Sequence, residues 1–312
     1  MEAIGRRQVI ALAGVGAMSV LAGCRAVSAA PPVTPVVVPA SSAPAPTLPA
    51  SVVYRMGNSF IPGALAKRRD LHSLTSKWSV LVGDISLPDL QDCQMYVDTA
   101  IPMIEKLTGI HLDQKYLVML PKTAAEYEHW SGDRGDDLGV FREPLDETWQ
   151  GWVVIKCAAA IGEGRTLLED TGYLNHVIRH ELFHANTLDD GVSGYGTPKW
   201  VLEGFAEWAG ATATILFPRK PPLPVLPKNA EFSREGTTFA YERSFMFVSY
   251  LVTRFGQRQA IRFYERAIDF TYDTTEQAFH AVLGISLATA TKDWAAQYKK
   301  QVARLYAEIL GT

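Results

Sequence analysis

Two histidines four positions apart, His180 and His184, with Glu181 between them, constrain this chain more than any other feature. They can act together only if the backbone joining them is helical. A helix brings positions i and i+4 onto one face with Cβ atoms about 5–6 Å apart. The surrounding residues agree with that demand. Leu174, Val177, Ile178 and Leu182 recur at three- and four-residue spacing and define one apolar face, while His176, His180 and His184 fall on another. Asp170 or Thr171 can cap the start, and Arg179 can lean to the solvent side. On such a helix two imidazoles can bind one Zn²⁺ at roughly 2.0–2.1 Å each. Glu181 then points near the ion but off the ligand axis, where a general base for a water molecule belongs.

A zinc hydrolase needs a third protein ligand and one open position. Glu203 and Asp190 are the two candidates. Glu203 follows His184 after eighteen intervening residues, and Asp190 lies six positions after His184. Asp190 lies where another zincin class places its third ligand, and a resemblance to that class would imply a sharp turn, usually at a glycine, three residues after the second histidine. That position holds Thr187, a β-branched residue poorly suited to positive φ. Glu203 is therefore favoured. Its setting predicts a second helix, with Thr197 as cap, Pro198 in the first turn, and Trp200, Val201, Phe205 and Trp208 as apolar surface. Glu203 and Glu207 are four apart and share a face. One carboxylate can bind the metal while the other accepts the outer N–H of a ligating histidine, which fixes the tautomer of that ring. His176 sits one turn before His180, too far along the axis to bind the same ion, and is expected to line the cleft or support the ligands.

His180-Glu181-x-x-His184, eighteen residues, then Trp200-Val201-Leu202-Glu203-Gly204-Phe205-Ala206-Glu207 resembles the gluzincin metallopeptidases, the thermolysin-like and aminopeptidase-like proteins of the peptidase MA-like group. The motif pair spans about thirty residues, with a weaker likeness from about residue 75 to the C-terminus. The resemblance implies one zinc ion held by His180, His184 and Glu203, with Glu181 as general base and Glu207 supporting a ligating histidine. Ala240-Tyr241-Glu242-Arg243-Ser244-Phe245 resembles the helix in which aminopeptidase-like relatives place an oxyanion-binding tyrosine, which makes Tyr241 the candidate. The Gly-x-Met-Glu-Asn segment with which aminopeptidases hold a free amine has no counterpart here. The implied activity is thus peptide-bond hydrolysis in general. A non-catalytic binding lipoprotein of the same fold and a zinc hydrolase of a non-peptide substrate are the alternatives.

The N-terminus reads as an address. Arg6 and Arg7 precede an apolar run from Val9 to Ala22, too short for a stable bilayer span but laid out like a signal peptide. Leu21-Ala22-Gly23-Cys24 resembles a bacterial lipobox, which implies lipidation at Cys24. The arginine pair leaves general secretory and twin-arginine export both open. Residues 25–50, rich in Pro, Ala, Ser and Val, cannot bury a core and read as an extended tether. The expected organisation is a signal peptide over 1–23, lipidated Cys24 and tether over 24–50, and one domain over 51–312. That domain is expected to have an upper lobe over about 51–190 and a helical lower lobe over about 191–312. Lipid anchorage places it at a bacterial cell envelope, outside the cytoplasm, with a peptide or protein as substrate.

About 260 residues after the tether suffice for a two-lobed domain with a sizeable core. A net charge of −3 offers no basic stripe, so nucleic acid is not an expected partner. Cys93 and Cys157 can pair in an exported protein or stay as buried thiols, and no further cysteine remains for a cysteine-rich zinc site.

Strands are predicted at Trp78–Val82, Lys115–Leu120 and Gly151–Lys156, with a shorter one at Gly139–Phe141 that is expected to line the cleft. Helices are predicted at Asp89–Leu107, Thr123–Trp130, Tyr241–Phe255 and Arg258–Phe270, followed by two opened by Thr274 and Ser286. A proline-rich stretch over 218–227 excludes regular structure. Strands first and helices after indicate an α+β fold. The resemblance refines it to a two-lobed zincin, with a small N-terminal sheet, an all-helical C-terminal lobe and the zinc helix at their junction.

Overall fold

The computed structural model describes residues 68, 70–111, 115–132, 137–142, 151–162, 164–188, 196–211, 223–232, 239–269 and 274–310. Cys24, the tether and Asp190 lie outside them, as does the stretch 218–222.

The first half carries a five-stranded mixed sheet. Its strands are β1 (His72–Thr75), β2 (Ser79–Gly83), β3 (Tyr116–Leu120), β4 (Gly139–Arg142) and β5 (Trp152–Ile155). They lie in the order β1-β2-β3-β5-β4. The central pairs β2–β3 and β3–β5 are parallel, and the outer strands β1 and β4 run antiparallel to their neighbours. A two-stranded ribbon follows, β6 (Ala160–Gly162) and β7 (Arg165–Thr166). The helices are α1 (Leu87–Thr108), α2 (Ala124–Ser131), α3 (Thr171–Thr187), α4 (Lys199–Gly210), α5 (Ala240–Phe255), α6 (Gln257–Ile268), α7 (Thr275–Leu283) and α8 (Leu287–Leu310). Apart from short 3₁₀ turns, every described regular element after β7 is an α-helix, so the fold is α+β.

The alternation of side chains along a strand explains why β2, β3 and β5 read as unbroken apolar runs. Leu81, Val118, Val153 and Ile155 face one way, into the main core beneath α1 and α3. Val80, Val82, Leu117, Met119, Trp152 and Val154 face the other way, against Tyr127 and Trp130 of α2. Both faces of the sheet are therefore covered, and each fully buried aliphatic chain contributes about 1.5–3 kcal/mol. The main core continues past α3 into the helical half. There Trp200 meets Phe247 and Phe263, and Phe247 meets Trp294.

The expected strands and helices are present, with ends shifted by one or two residues. Ser86, Thr123, Asp170, Thr274 and Ser286 each accept a backbone N–H at a helix start. Three expectations are corrected. Thr197 does not cap α4, because its hydroxyl donates to the carbonyl of Ala267 at 2.8 Å; Pro198 occupies the cap position without a side-chain bond. Arg179 does not lean freely into solvent; it is half-buried, and its Nε has no hydrogen-bond partner among the described residues. The final turn expected for α6 stops at Ile268. Cys93 and Cys157 are both buried free thiols. Among the described residues no helix is long and apolar enough to cross a membrane.

Candidate metal centre

Helix α3 is held before it can act. Asp170 caps its start by accepting the Tyr173 N–H at 3.0 Å. Near its end, Asn186 is caught in a buried network. It accepts from Thr108 Oγ1 at 2.7 Å and donates to Tyr116 Oη at 2.9 Å, which ties α3 to α1 and β3. Thr187 Oγ1 meets Tyr264 Oη at 2.8 Å, which ties α3 to α6. Between these anchors, His176, His180, Glu181 and His184 are all buried.

Helix α4 crosses the histidine face and supplies two carboxylates. Glu203 Oε2 lies 3.2 Å from His180 Nε2 and 3.7 Å from His184 Nε2, and the two Nε2 atoms are 3.2 Å apart. Three donor atoms thus form a triangle with edges of 3.2, 3.2 and 3.7 Å. Ligands about 2.0–2.1 Å from a tetrahedral centre lie about 3.3–3.4 Å apart, so the triangle matches one face of such a coordination shell. Three converging N and O donors, two of them on buried histidines, can hold a metal ion once the facing Nε2 atoms carry no hydrogen.

Glu207 sits one turn further along α4. Its Oε1 faces His180 Nδ1 at 3.5 Å, and its Oε2 faces His176 Nε2 at 3.2 Å. A proton on His180 Nδ1, pointing at Glu207, leaves the Nε2 lone pair facing Glu203 and His184. His176 Nδ1 lies 3.0 Å from the carbonyl oxygen of Gly210. His176 thus lies outside the donor triangle and faces Glu207.

The charges respond to this crowding. Burial alone would lower the proton affinity of His180, but Glu203 and Glu207, with Glu181 nearby, outweigh it and hold the imidazole well above its ordinary range. Burial pushes Glu203 and Glu207 upward, but the histidines they face outweigh it and leave both carboxyls below the usual range. Glu181 differs. Burial dominates and raises its pKa, only partly offset by His180 and His184. A carboxyl with raised proton affinity beside a triangle of two nitrogen donors and one oxygen donor suits proton transfer at mild pH.

Glu181 also has a close neighbour in the short strand expected to line the cleft. Strand β4, at the sheet edge, passes directly over it at Gly139. A Cβ placed on Gly139 would stand 2.7 Å from Glu181 Cγ and 3.0 Å from its Oε1. What the sequence left open was the contact itself, although a glycine opening a short strand is a signal of close backbone approach. Tyr241, in the first turn of α5, brings its ring centroid to 6.5 Å from that of His180 and is edged by Phe232 at 5.1 Å. Arg243 ties this turn to the segment before it through Glu231 at 2.5 Å and the carbonyl of Val225 at 3.3 Å. His180, Glu181, His184, Glu203, Glu207 and Tyr241, far apart in sequence, therefore share one site. Neither a protein-family model nor a curated protein matches the chain.

Proposed function

We propose that the chain is a gluzincin-type zinc metallopeptidase, held by a lipid on Cys24 at a bacterial envelope and acting on peptides or proteins outside the cytoplasm. The observation that carries the reading is the donor triangle of His180, His184 and Glu203 with Glu181 buried beside it. Zinc bound there would lower the pKa of a water molecule towards about 7 and polarise a scissile carbonyl.

The chain's own residues supply the rest. Glu181 takes a proton from the attacking water and delivers it to the leaving nitrogen, a role its burial-raised pKa suits. Tyr241 donates its phenolic hydrogen to the developing oxyanion. Glu207 keeps the His180 ring oriented. Strand β4 lies at the sheet edge immediately above Glu181, and an extended peptide pairing with that edge would run past the general base. The two-lobed zincin arrangement fits a helix α3 that packs on α1, β4 and β5 on one side and on α4 on the other.

Metal analysis and hydrolysis of an unfolded protein test the reading together. One zinc per wild-type chain, lost in Glu203→Ala and kept in Asp190→Ala, is the expected metal result. Glu181→Gln should keep zinc and lose turnover. No zinc in wild type after reconstitution, or full turnover in Glu181→Gln, overturns the proposal.

A further inference from the structure

His176 lies outside the donor triangle, yet every polar atom of its ring is engaged. Its Nδ1 lies 3.0 Å from the Gly210 carbonyl oxygen and its Nε2 3.2 Å from Glu207 Oε2, so a neutral ring donates to one of them and an imidazolium to both. The ring stacks on Tyr173, with centroids 6.1 Å apart and planes 16° apart, and meets His180 edge-on at 6.3 Å. The last residue of α4 has to be small for this to happen. A Cβ on Gly210 would stand 3.0 Å from His176 Nδ1 and 3.0 Å from its backbone oxygen. The imidazole is thus wedged between α3 and the end of α4, with one nitrogen on the backbone and the other on Glu207.

We propose that His176 is a positioning residue for the metal centre: it holds one oxygen of Glu207 so that the other stays aimed at His180 Nδ1. The inference rests on the metal-centre reading above. Glu207 reaches the histidines on a flexible side chain, and its two oxygens are each faced by a different imidazole of α3. With both faced, the carboxylate plane cannot rotate without losing a partner. With His176 removed, Oε2 loses its partner, the carboxylate can swing into the space, and the partner that orients His180 loosens. Losing an outer partner of a metal-bound histidine costs about 10–100-fold in metal affinity. His176 acts at one further remove, so the lower end of that range applies.

The test is Zn²⁺ affinity, measured on the full chain by competition with a chromophoric chelator, with folding checked by circular dichroism. His176→Phe keeps the ring and removes both nitrogens. It should weaken zinc about tenfold at an unchanged stoichiometry of one. His176→Gln returns an amide donor towards Glu207 and should recover part of the loss, and it serves as the test if the Phe variant does not fold. In a Glu207→Ala background, His176→Phe should change affinity by less than about twofold, because the effect travels through Glu207. Wild-type affinity in His176→Phe overturns the inference, as does an equal loss with and without Glu207. Two ions in wild type falling to one in His176→Phe would also overturn it, since His176, His180 and Glu207 would then form a second metal site. Wild type that binds no zinc overturns the metal-centre reading and this inference with it, whereas one tightly held zinc in all variants overturns this inference alone.

Discussion

Gly139→Ala is the sharpest probe of how the sheet edge and Glu181 fit together. Gly139 is not at a positive φ, so alanine carries no backbone penalty and the cost is steric. The new methyl would lie 2.7 Å from Glu181 Cγ, 3.0 Å from Glu181 Oε1 and 3.0 Å from Val177 Cγ1. Carbon atoms pack comfortably at about 3.5–4.0 Å, so β4 and the Glu181 side chain must separate by roughly 1 Å. Val177 and Glu181 stand one turn apart on α3, so the side chain has no free direction towards Val177. A displacement of about 1 Å in a catalytic group costs on the order of 10²-fold in rate, about 2.7 kcal/mol of transition-state stabilisation. Overpacking costs about 1–3 kcal/mol in stability. The assay is kcat/KM on an unfolded protein substrate, alongside zinc content and thermal melting. The expected result is a fall of about 100-fold in kcat/KM with zinc retained and a lowered Tm. Wild-type turnover and Tm together would refute the close approach. Loss of zinc would show that β4 presses on the proposed metal ligands and not on the proposed base.

Three further outcomes are expected. In the metal-free protein, the lowered pKa values of Glu203 and Glu207 give stability that is full above about pH 4.3 and lost as pH falls. The raised value of His180 gives stability that is full below about pH 6.5 and lost as pH rises. The raised value of Glu181 likewise gives stability that is lost as pH rises above about 4.3, so apoprotein Tm should peak towards the acid end of roughly pH 4.5 to 6.5, and stabilisation by added zinc should grow with pH as His180 loses its proton; thermal melts across pH with and without zinc check both signs. Burial raises the Cys157 thiol and pushes Cys93 up to about 12, so a thiol-alkylating reagent should modify neither in the native protein and both after unfolding, as read by peptide mass mapping. Asn186→Leu should cost about 1–3 kcal/mol in denaturant unfolding, because Thr108 and Tyr116 lose a shared buried partner.

The sequence was most informative where a local rule sufficed. The period of apolar residues around His180, with Asp170 ahead of it, defined α3 closely, because a helix is set by neighbours within one turn. The apolar runs at 80–82, 116–120 and 152–155 were legible as strands, because burial on both faces removes the polar alternation that would blur them. Local rules failed where a distant atom competed. Thr197 had the right position for a cap, but the Ala267 carbonyl, seventy residues on, took its hydroxyl instead. Arg179 had a solvent-facing position on a helical wheel, but packing around α3 half-buried it.

The candidate site divides along the same line. The sequence alone determined that His180 and His184 share a face with Glu181 between them, since a four-residue helical spacing fixes that geometry regardless of the rest of the fold. It likewise placed Glu203 and Glu207 on one face of α4. Only the tertiary structure decided that the two faces meet, that Glu203 brings its oxygen to within 3.2 and 3.7 Å of the two Nε2 atoms, and that Glu207 lies between His180 and His176. No spacing in the chain states how two helices cross. That depends on the close approaches at Gly139 and Gly210 and on the core beneath α3 and α4, and these are sums over contacts between residues remote in sequence.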